Sequence, residues 1–398
     1  MKGDISMNFT RMVALLLLSV CFAVLPITAE AVTLTVNSTI DDVDAAPGNG
    51  VCATVGGVCT LRAAIQEANA LAGPDTIVLK AKKYYLTIPG TGEDAAATGD
   101  LDITESLTIK GVSSAQTIIN GGALDRVFHI IGPITIKFVN LSIQNGFIQG
   151  FGGGIYNTGG TVSLVSCSVA NNVSSGNGSV LGGGIYSNAD GSSLNIKSSS
   201  VINNAAISSA SVAYGGGIGV FDNGTLNISA SKIAYNSATS TNDQAIGGGI
   251  LSLSGHGVTI TNSKVLANSA MSISSLSYGG GIALMGDSTA ALISGTSISM
   301  NSNVSSVSIA YGGGLYVQQE TATISSCTVK NNKANASGSG GLGGGIAAAS
   351  SDITVKNEST VASNLASFDG GGIKNLGSST ITVSPNSTVA NNMPNDQN

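Results

Sequence analysis

The sequence predicts an all-β fold, a single-stranded right-handed parallel β-helix of about ten coils, from three observations. A run of three glycines followed by Ile or Leu recurs eight times, at intervals of 27 to 33 residues. Each run is followed by Val or Ile with Asn three positions later, and this Asn lies 20 to 22 residues after the first glycine. The segments between the two motifs alternate in hydropathy with the period of two that is typical of strands.

The glycine runs set the length of the repeat and one of its bends. Glycine tolerates sharp turns and lets the backbones of successive coils approach closely. Because strands of successive coils pair about 4.8 Å apart, the Ile or Leu after each run is expected to form an interior aliphatic ladder. The runs begin at Gly152, Gly182, Gly215, Gly247, Gly279, Gly312, Gly343 and Gly370.

The recurring Asn predicts an internal turn in every coil. Stacked side-chain amides can bond to their neighbours in such a turn, and Asn tolerates left-handed backbone. The residues are Asn172, Asn204, Asn236, Asn268, Asn301, Asn332, Asn364 and Asn392.

Other repeat architectures fit the sequence less well. Helical repeats of this length need Leu- and Ala-rich amphipathic helices, and a leucine-rich repeat has a Leu spacing that is absent here. The content of 54 glycines and only 10% charged residues favours short strands joined by tight turns. We therefore assign residues 99–392 to the β-helix, with 99–150 as two irregular opening coils, and 393–398 to a polar tail.

Residues 1–31 have the pattern of a secretion signal. Arg11 precedes an apolar run from Met12 to Ile27, and Ala29-Glu30-Ala31 fits a small-residue cleavage site. A membrane anchor is the alternative, but the run is shorter than the roughly 20 residues of a spanning helix. We expect an exported protein, extracellular or at the cell surface, whose mature chain does not span the membrane.

Residues 32–98 are predicted to cap the open N-terminal end of the β-helix, because a solenoid otherwise exposes unpaired strand edges there. Within this region, residues 60–71 have the pattern of a helix. Thr60 can act as its N-cap. The apolar face of this helix would plug the core, and it consists of Leu61, Ala64, Ile65, Ala68 and Leu71.

The cysteines fall into two groups. Cys52 and Cys59 are seven residues apart in a Gly-rich loop and are the natural disulfide pair in an exported protein. Cys167 and Cys327 occupy corresponding places five coils apart, which is about 24 Å along the axis. Since a disulfide needs Cα atoms within about 7 Å, these two are expected to be free and buried.

Two sets of motifs resemble known bacterial families. Residues 59–65 resemble the Cys-Ser-Leu-Arg-Glu-Ala (CSLREA) motif domain that precedes bacterial surface β-helices, as do residues 41–52 and 125–128, although Ala63 replaces the family's Glu. The repeats are similar to those of chlamydial polymorphic outer-membrane proteins, which carry Gly-Gly-Ala-Ile and Phe-x-x-Asn. Together the resemblance covers residues 32–392, and it implies a β-helix displayed at the outer membrane that acts in adhesion.

The same fold also occurs in pectin-degrading lyases and hydrolases, so residues of the repeats are candidates for an active site. Lyases of this kind hold Ca²⁺ with clustered carboxylates and use Arg or Lys as the base. Asp190, Asp222 and Asp287 lie seven or eight residues after their glycine runs, and His256 stands in a Gly-His-Gly tripeptide that polygalacturonases share. These four are the weak catalytic candidates, and solvated turn residues are the alternative for each.

Asp41, Asp42 and Asp44 are weak metal candidates that could form a Ca²⁺ loop, with a solvated acidic turn as the alternative. No cofactor is otherwise expected. His129 lies in an apolar strand pattern and is interpreted as a packed or edge histidine. The net charge of −6 and the absence of any basic run exclude nucleic acid as a partner.

The segments after each Asn vary in sequence while the rest of the coil is constant. They are Ser-, Ala- and Gly-rich, as in 173–181, 205–214 and 270–278. Variable loops on one side of a solenoid often form its binding face, and uncharged loops favour a surface protein or neutral glycan as partner. We expect a non-enzymatic adhesion or partner-binding protein, with a polysaccharide lyase or glycoside hydrolase acting on a pectin-like polymer as the alternative.

Overall fold

The chain forms a parallel β-helix in which each coil contributes at most one strand to each sheet. The computed structural model describes residues 30–253, 257–286 and 290–397, so residues 1–29 of the predicted signal segment 1–31 lie outside the described residues. From Ala31 onward the chain is one compact unit. The described strands form five parallel sheets, here named A to E, and confirm the predicted fold of about ten right-handed coils.

Sheets A and B follow one another in every coil. Sheet A has twelve strands: Thr33–Thr35, Asp75–Val78, Leu107–Lys110, Thr135–Val139, Thr161–Val165, Ser193–Lys197, Thr225–Ser229, Val258–Thr261, Ala290–Ser294, Thr321–Ser325, Asp352–Lys356 and Thr380–Val383. Sheet B has eleven: Lys83–Tyr85, Ile118–Asn120, Ser142–Gln144, Ser168–Ala170, Ser200–Ile202, Lys232–Ala234, Lys264–Leu266, Ser297–Ser299, Thr328–Lys330, Thr360–Ala362 and Thr388–Ala390. Strands from residues 32–98 thus belong to both sheets.

Sheet C follows the glycine runs and precedes sheet A. Its ten strands are Leu101–Ile103, Phe128–Ile131, Ile155–Thr158, Ile185–Ser187, Ile218–Val220, Ile250–Leu253, Ile282–Met285, Leu315–Gln318, Ile346–Ala349 and Ile373–Asn375. The Ile or Leu that begins each strand after a glycine run is fully buried and pairs with its counterpart in the next coil, as Ile185 does with Ile218. The predicted interior ladder is confirmed.

Sheets D and E form an arch between each Asn and the next glycine run. Sheet D has eight strands: Phe147–Ile148, Val173–Gly176, Ala205–Ser208, Ser237–Ser240, Ser269–Ser272, Ser302–Ser305, Lys333–Ala336 and Leu365–Ala366. Sheet E has six: Val180–Leu181, Ala213–Tyr214, Ala245–Ile246, Ser277–Tyr278, Ile309–Tyr311 and Gly340–Leu342. Small apolar side chains such as Ala206, Ala213 and Ala238 form a separate core inside the arch.

The recurring Asn residues form the ladder that the sequence predicts. Each of the first seven donates its side-chain amide to the Oδ1 of the Asn in the next coil, as Asn236 does to Asn268 at 2.9 Å. The left-handed backbone, however, lies one residue earlier than expected, for example at Tyr235 with φ +59° and Ala267 with φ +53°. The ladder position therefore requires Asn for the hydrogen bonds of its buried amide, and the preceding residue adopts the left-handed conformation of the turn.

The three glycines of each run have different tasks. Gly247 has φ +68°, which residues with a β-carbon rarely adopt. A β-carbon on Gly248 would overlap the backbone carbonyl of Ser269, at the start of sheet D in the same coil. A β-carbon on Gly249 would lie 2.9 Å from the Nδ2 atom of Asn268. The run therefore lets the arch and the Asn ladder pack directly against the corner before sheet C.

A short helix closes the N-terminal end of the core. It spans Leu61–Ala70, and the Oγ1 atom of Thr60 accepts a hydrogen bond from the Ala63 amide at 3.0 Å, as predicted for an N-cap. The apolar face of the helix joins the main core through Ile65 and its neighbours. Within the described residues, no helix is long and apolar enough to cross a membrane.

The segment predicted as a polar tail pairs with the last coil. Asp396 Oδ1 accepts hydrogen bonds from the backbone and side-chain amides of Asn392, at 2.9 and 3.0 Å. The backbone amide of Ile373 donates to the Asp396 carbonyl at 2.9 Å. Asp396 therefore supplies the acceptor that a further Asn would supply to the ladder.

Cys52 and Cys59 are joined by a disulfide bond, with their Cα atoms 5.1 Å apart. Cys167 and Cys327 are free and buried, as predicted. The structure adds that each occupies a position where other coils have Ser or Thr. The backbone amide of Cys167 donates to Ser199 Oγ at 3.0 Å, and Ser199 donates in turn to a carbonyl of its own coil. A second side-chain ladder therefore runs beside the Asn ladder.

Candidate functional site

Where sheet E meets the outward face of sheet C, apolar and aromatic side chains line the corner that the glycine runs create. Sheet E contributes one side chain per coil, the residue just before each run. Sheet C contributes the residue after each interior Ile or Leu. We call this surface the aromatic strip, and its rings are Phe151, Tyr156, Tyr186, Tyr214, Phe221, Tyr278, Tyr311 and Tyr316.

The rings form two clusters along the strip. In the first, Tyr156 stacks on Tyr186 with centroids 5.3 Å apart, and Phe221 meets Tyr186 edge-on at 5.4 Å. Gly219 occupies the register position after Tyr186, and Phe221 fills the space that a side chain there would take. In the second cluster, Tyr278 stacks on Tyr311 at 5.3 Å.

Aliphatic side chains connect the two clusters. Ile246, Leu251 and Ala283 form a buried core of their own on the outside of sheet C, with Tyr214 and Tyr278 packed against it. The strip is therefore a continuous feature of several coils. Because it follows the sheet register, each coil contributes one position from sheet E and one from sheet C, and aliphatic side chains such as Ile246 and Leu251 are buried.

Burial raises the pKa of the tyrosine hydroxyls in the strip, since the phenolate is poorly solvated there. The pKa of Tyr278 rises to about 12, and neighbouring tyrosines add to the shift. In the described structure, Tyr316 donates to Gln318 at 3.1 Å, whereas the other strip hydroxyls have no hydrogen-bond partner. The strip therefore offers a row of neutral hydroxyls beside apolar groups.

Charged residues lie at the N-terminal end of the strip. The Arg126 guanidinium lies over the Tyr156 ring, 5.1 Å from its centroid, and Nε lies 2.9 Å from Asp100 Oδ2 and 3.9 Å from Asp125 Oδ1. Burial, with the charge of Asp102 as a smaller cause, raises the pKa of Asp100 to about 8 although Arg126 acts to lower it. Two buried carboxyls thus share one guanidinium.

Arg126 also borders a cleft of about 320 Å³ between the first arch and the strip. The cleft is lined by Phe151, Asn177, Ser179 and the backbone around Gly150. Nη1 of Arg126 is buried and has no hydrogen-bond partner in the described structure. This end of the strip therefore combines a cation, a ring and small polar groups in one cavity.

One further group of polar side chains lies beside Arg126. Ligand atoms of Asp94, Asp102 and His129 lie within 4.8 Å of one another, and this is the one group of its kind among the described residues. His129 stacks on Tyr156 with centroids 4.9 Å apart, which agrees with its interpretation as a packed histidine. The sequence analysis missed this cluster, because Asp94 lies in a loop and the strands of Asp102 and His129 belong to opening coils without the glycine repeat.

Asp190 and Asp222 are the two catalytic candidates that the structure describes. Both lie exposed on turns between sheets C and A, outside the cluster of Asp94, Asp102 and His129 and outside the cleft at Arg126. Asp222 has φ +50°, as expected of an Asp that forms a turn. Asp287 and His256 lie outside the described residues.

The three acids of the proposed Ca²⁺ loop have separate partners. Asp41 forms an ion pair with the buried Arg62, at 2.7 Å, and accepts two further backbone amides. Asp42 accepts from the amide of Val43, and Asp44 accepts from the amides of Ala46 and Ala53. The carboxylates organise the capping region.

The variable segments on which the binding face was predicted are the arches of sheets D and E. Four sheet D strands end in a buried Ser that holds the arch tip, as Ser240 Oγ does by donating to the Ser211 carbonyl at 2.6 Å and accepting from the Asp243 amide at 3.0 Å. These tips repeat in register, and the last residue of each sheet E strand belongs to the aromatic strip.

No protein-family model and no curated protein matches the chain. Among solved structures, the chain is similar to the A-module of the mannuronan C-5 epimerase AlgE6 of Azotobacter vinelandii, at 15% identity and a TM-score of 0.32. The match covers 83% of this chain and 93% of that module. The fold defines the chain as a parallel β-helix protein, and the likeness assigns no role to any of its residues.

Proposed function

We propose that the protein is an exported β-helix that binds a neutral glycan chain along the aromatic strip. The observation that carries this proposal is the aromatic strip itself, in which five of the six tyrosine hydroxyls, all but that of Tyr316, have no hydrogen-bond partner among the described residues. Sugar hydroxyls both donate and accept hydrogen bonds, and their C–H faces pack on apolar groups.

The spacing of the strip supports an extended polymer as the ligand. Successive coils repeat about every 4.8 Å, which is close to the length of one pyranose unit in an extended chain. Successive sugars of such a chain could therefore follow successive coils along the strip. The arches beside it carry few charges, and the chain as a whole is acidic, so a polyanion is disfavoured.

Export is part of the proposal and rests on two features. The sequence pattern of residues 1–31 is that of a secretion signal. The Cys52–Cys59 disulfide is typical of proteins that mature in an oxidising compartment. Sequencing of the N-terminus of secreted protein should place cleavage after Ala31, and retention of the chain in the cytosol would contradict export.

The binding experiment uses soluble β-glucan, xylan and galactan in affinity gel electrophoresis, with polygalacturonate as the charged comparison. We expect retardation by at least one neutral glycan. Tyr278→Phe removes one strip hydroxyl while keeping the ring, and should weaken binding about threefold to tenfold. Tyr235→Phe is the matched control, because Tyr235 is an exposed tyrosine outside the strip.

Two results would overturn the proposal. The first is that none of the three neutral glycans retards the protein. The second is that the Tyr235 and Tyr278 variants lose binding equally. The enzymatic alternative is tested by incubating the protein with polygalacturonate and Ca²⁺. A rise in the absorbance of unsaturated uronates would show lyase activity and would favour that alternative over simple binding.

A further inference from the structure

Three metal-ligand side chains meet at the N-terminal end of the aromatic strip. Asp102 and His129 are register partners on adjacent strands of sheet C, so their side chains lie side by side. Asp94 belongs to the loop that crosses this end of the sheet, and its side chain is 74% exposed. The cluster therefore joins the loop to the first two strands of sheet C.

The distances in the cluster are those of ligands around a metal. Nδ1 of His129 lies 3.4 Å from Asp102 Oδ1 and 3.5 Å from Asp94 Oδ1. Both distances exceed the usual range of a hydrogen bond. In a tetrahedral site with bonds of about 2.0–2.1 Å, neighbouring ligand atoms are about 3.3 Å apart. A small rotation of the exposed Asp94 side chain would bring its carboxylate to a similar distance from Asp102.

Asp102 supplies an independent observation. Its side chain is fully buried, and Oδ2 accepts a hydrogen bond from the Ala96 amide at 2.8 Å. Oδ1 is also buried, faces His129, and has no hydrogen-bond donor in the described structure. A buried carboxylate oxygen without a partner is costly, and a bound cation would satisfy it.

The surrounding charges favour a cation. Asp94 and Asp102 both face His129, whereas Arg126 pairs with Asp100 and Asp125. Among the described residues, no Lys or Arg forms an ion pair with Asp94 or Asp102. The His129 ring is held in position by its stacking on Tyr156, so the ligand atom is oriented in advance.

We infer that Asp94, Asp102 and His129 bind one divalent first-row transition ion of the Zn²⁺ type. One imidazole and two carboxylates select such an ion over Ca²⁺ or Mg²⁺, which prefer oxygen ligands alone. The ion ties the loop around Asp94 to sheet C and leaves a fourth position open on the exposed side. The inference is independent of the glycan proposal.

The test uses the tag-free chain, stripped with EDTA and titrated calorimetrically with Zn²⁺, Mn²⁺, Ca²⁺ and Mg²⁺ as the free salts. We expect one equivalent of Zn²⁺ to bind with a Kd of about 10 µM or tighter, and thermal stability to rise with it. Co²⁺ should give the visible absorption of a four-coordinate site.

The variants separate this site from adventitious binding. Asp94→Ala changes an exposed residue and should weaken Zn²⁺ binding at least tenfold, and His129→Gln should abolish it. The matched controls are Asp190→Ala, on an exposed turn, and His256→Gln, which removes the other of the two histidines. Both controls should bind as the parent chain does.

The inference fails if the stripped parent chain binds Zn²⁺ with a Kd weaker than about 1 mM. It also fails if folded Asp94→Ala protein binds as tightly as the parent, or if Ca²⁺ or Mg²⁺ binds more tightly than Zn²⁺. Since Asp94 is exposed, its variant remains informative even where His129→Gln does not fold, as judged by circular dichroism.

Discussion

Asn268 accepts two hydrogen bonds on one oxygen from Asn236, from the backbone amide at 3.0 Å and from the side chain at 2.9 Å. It donates in turn to the Ile233 carbonyl and to Asn301, both at 3.0 Å. The amide therefore links three coils, and all of these atoms are buried.

Asn268→Ala should destabilise the protein by about 3 kcal/mol or more, because it leaves buried donors of Asn236 without an acceptor. The measurement is the free energy of unfolding in urea. Asn227→Ala is the control, since Asn227 also bonds to an Asn of the adjacent coil, Asn195, but on an exposed face. A similar loss for both variants would contradict the role of the ladder.

Gly248→Ala should cost about 2 kcal/mol or more, because its β-carbon overlaps the backbone of Ser269 and the rigid corner cannot relax. The midpoint of thermal unfolding reports the effect. Gly178→Ala should leave the midpoint within about a degree, since nothing lies within 4 Å of a β-carbon there. Equal midpoints for the two variants would show that the corner tolerates expansion.

Cys167 and Cys327 should not react with thiol reagents while the protein is folded. Burial raises the pKa of Cys167 to about 11 and also raises that of Cys327, so the reactive thiolate is scarce at pH 8. The assay is Ellman's reagent on the Cys21→Ser chain, which should show two thiols only after denaturation. Rapid reaction of the native protein would disprove the burial of these thiols.

Cys327→Ser should be tolerated, because the other coils place Ser or Thr at the same ladder position, as Thr296 and Ser359 do. We expect a change in unfolding free energy of less than about 1 kcal/mol. Cys327→Val keeps the volume but removes the polar group, and should cost more. The opposite order would mean that the Cys327 position is purely apolar.

Stability should fall as pH rises above about 10. Burial raises the pKa of several strip tyrosines, among them Tyr278 to about 12, so the folded state keeps protons that the unfolded state releases. Their contribution is fully present below the unfolded-state pKa and is lost at higher pH. Most phenolate absorbance should therefore appear together with the unfolding transition. Full ionisation of the tyrosines in still-folded protein would contradict this.

The fold, the coil length, the helix cap and the state of four cysteines could be predicted from the sequence alone. These features repeat or are local, so period and spacing are enough to define them. The glycine runs and the Asn ladder show this, because each Asn meets its own counterpart one coil away.

The positions of the candidate metal site and of the aromatic strip became visible in the folded structure. Asp94, Asp102 and His129 come from a loop and two opening coils without the repeat, so no spacing related them. The aromatic strip combines residues before and after each glycine run, and the bend at Gly247 and its counterparts brings them face to face. The fold follows from periodicity, whereas the site arises where the periodicity is interrupted or where the chain turns.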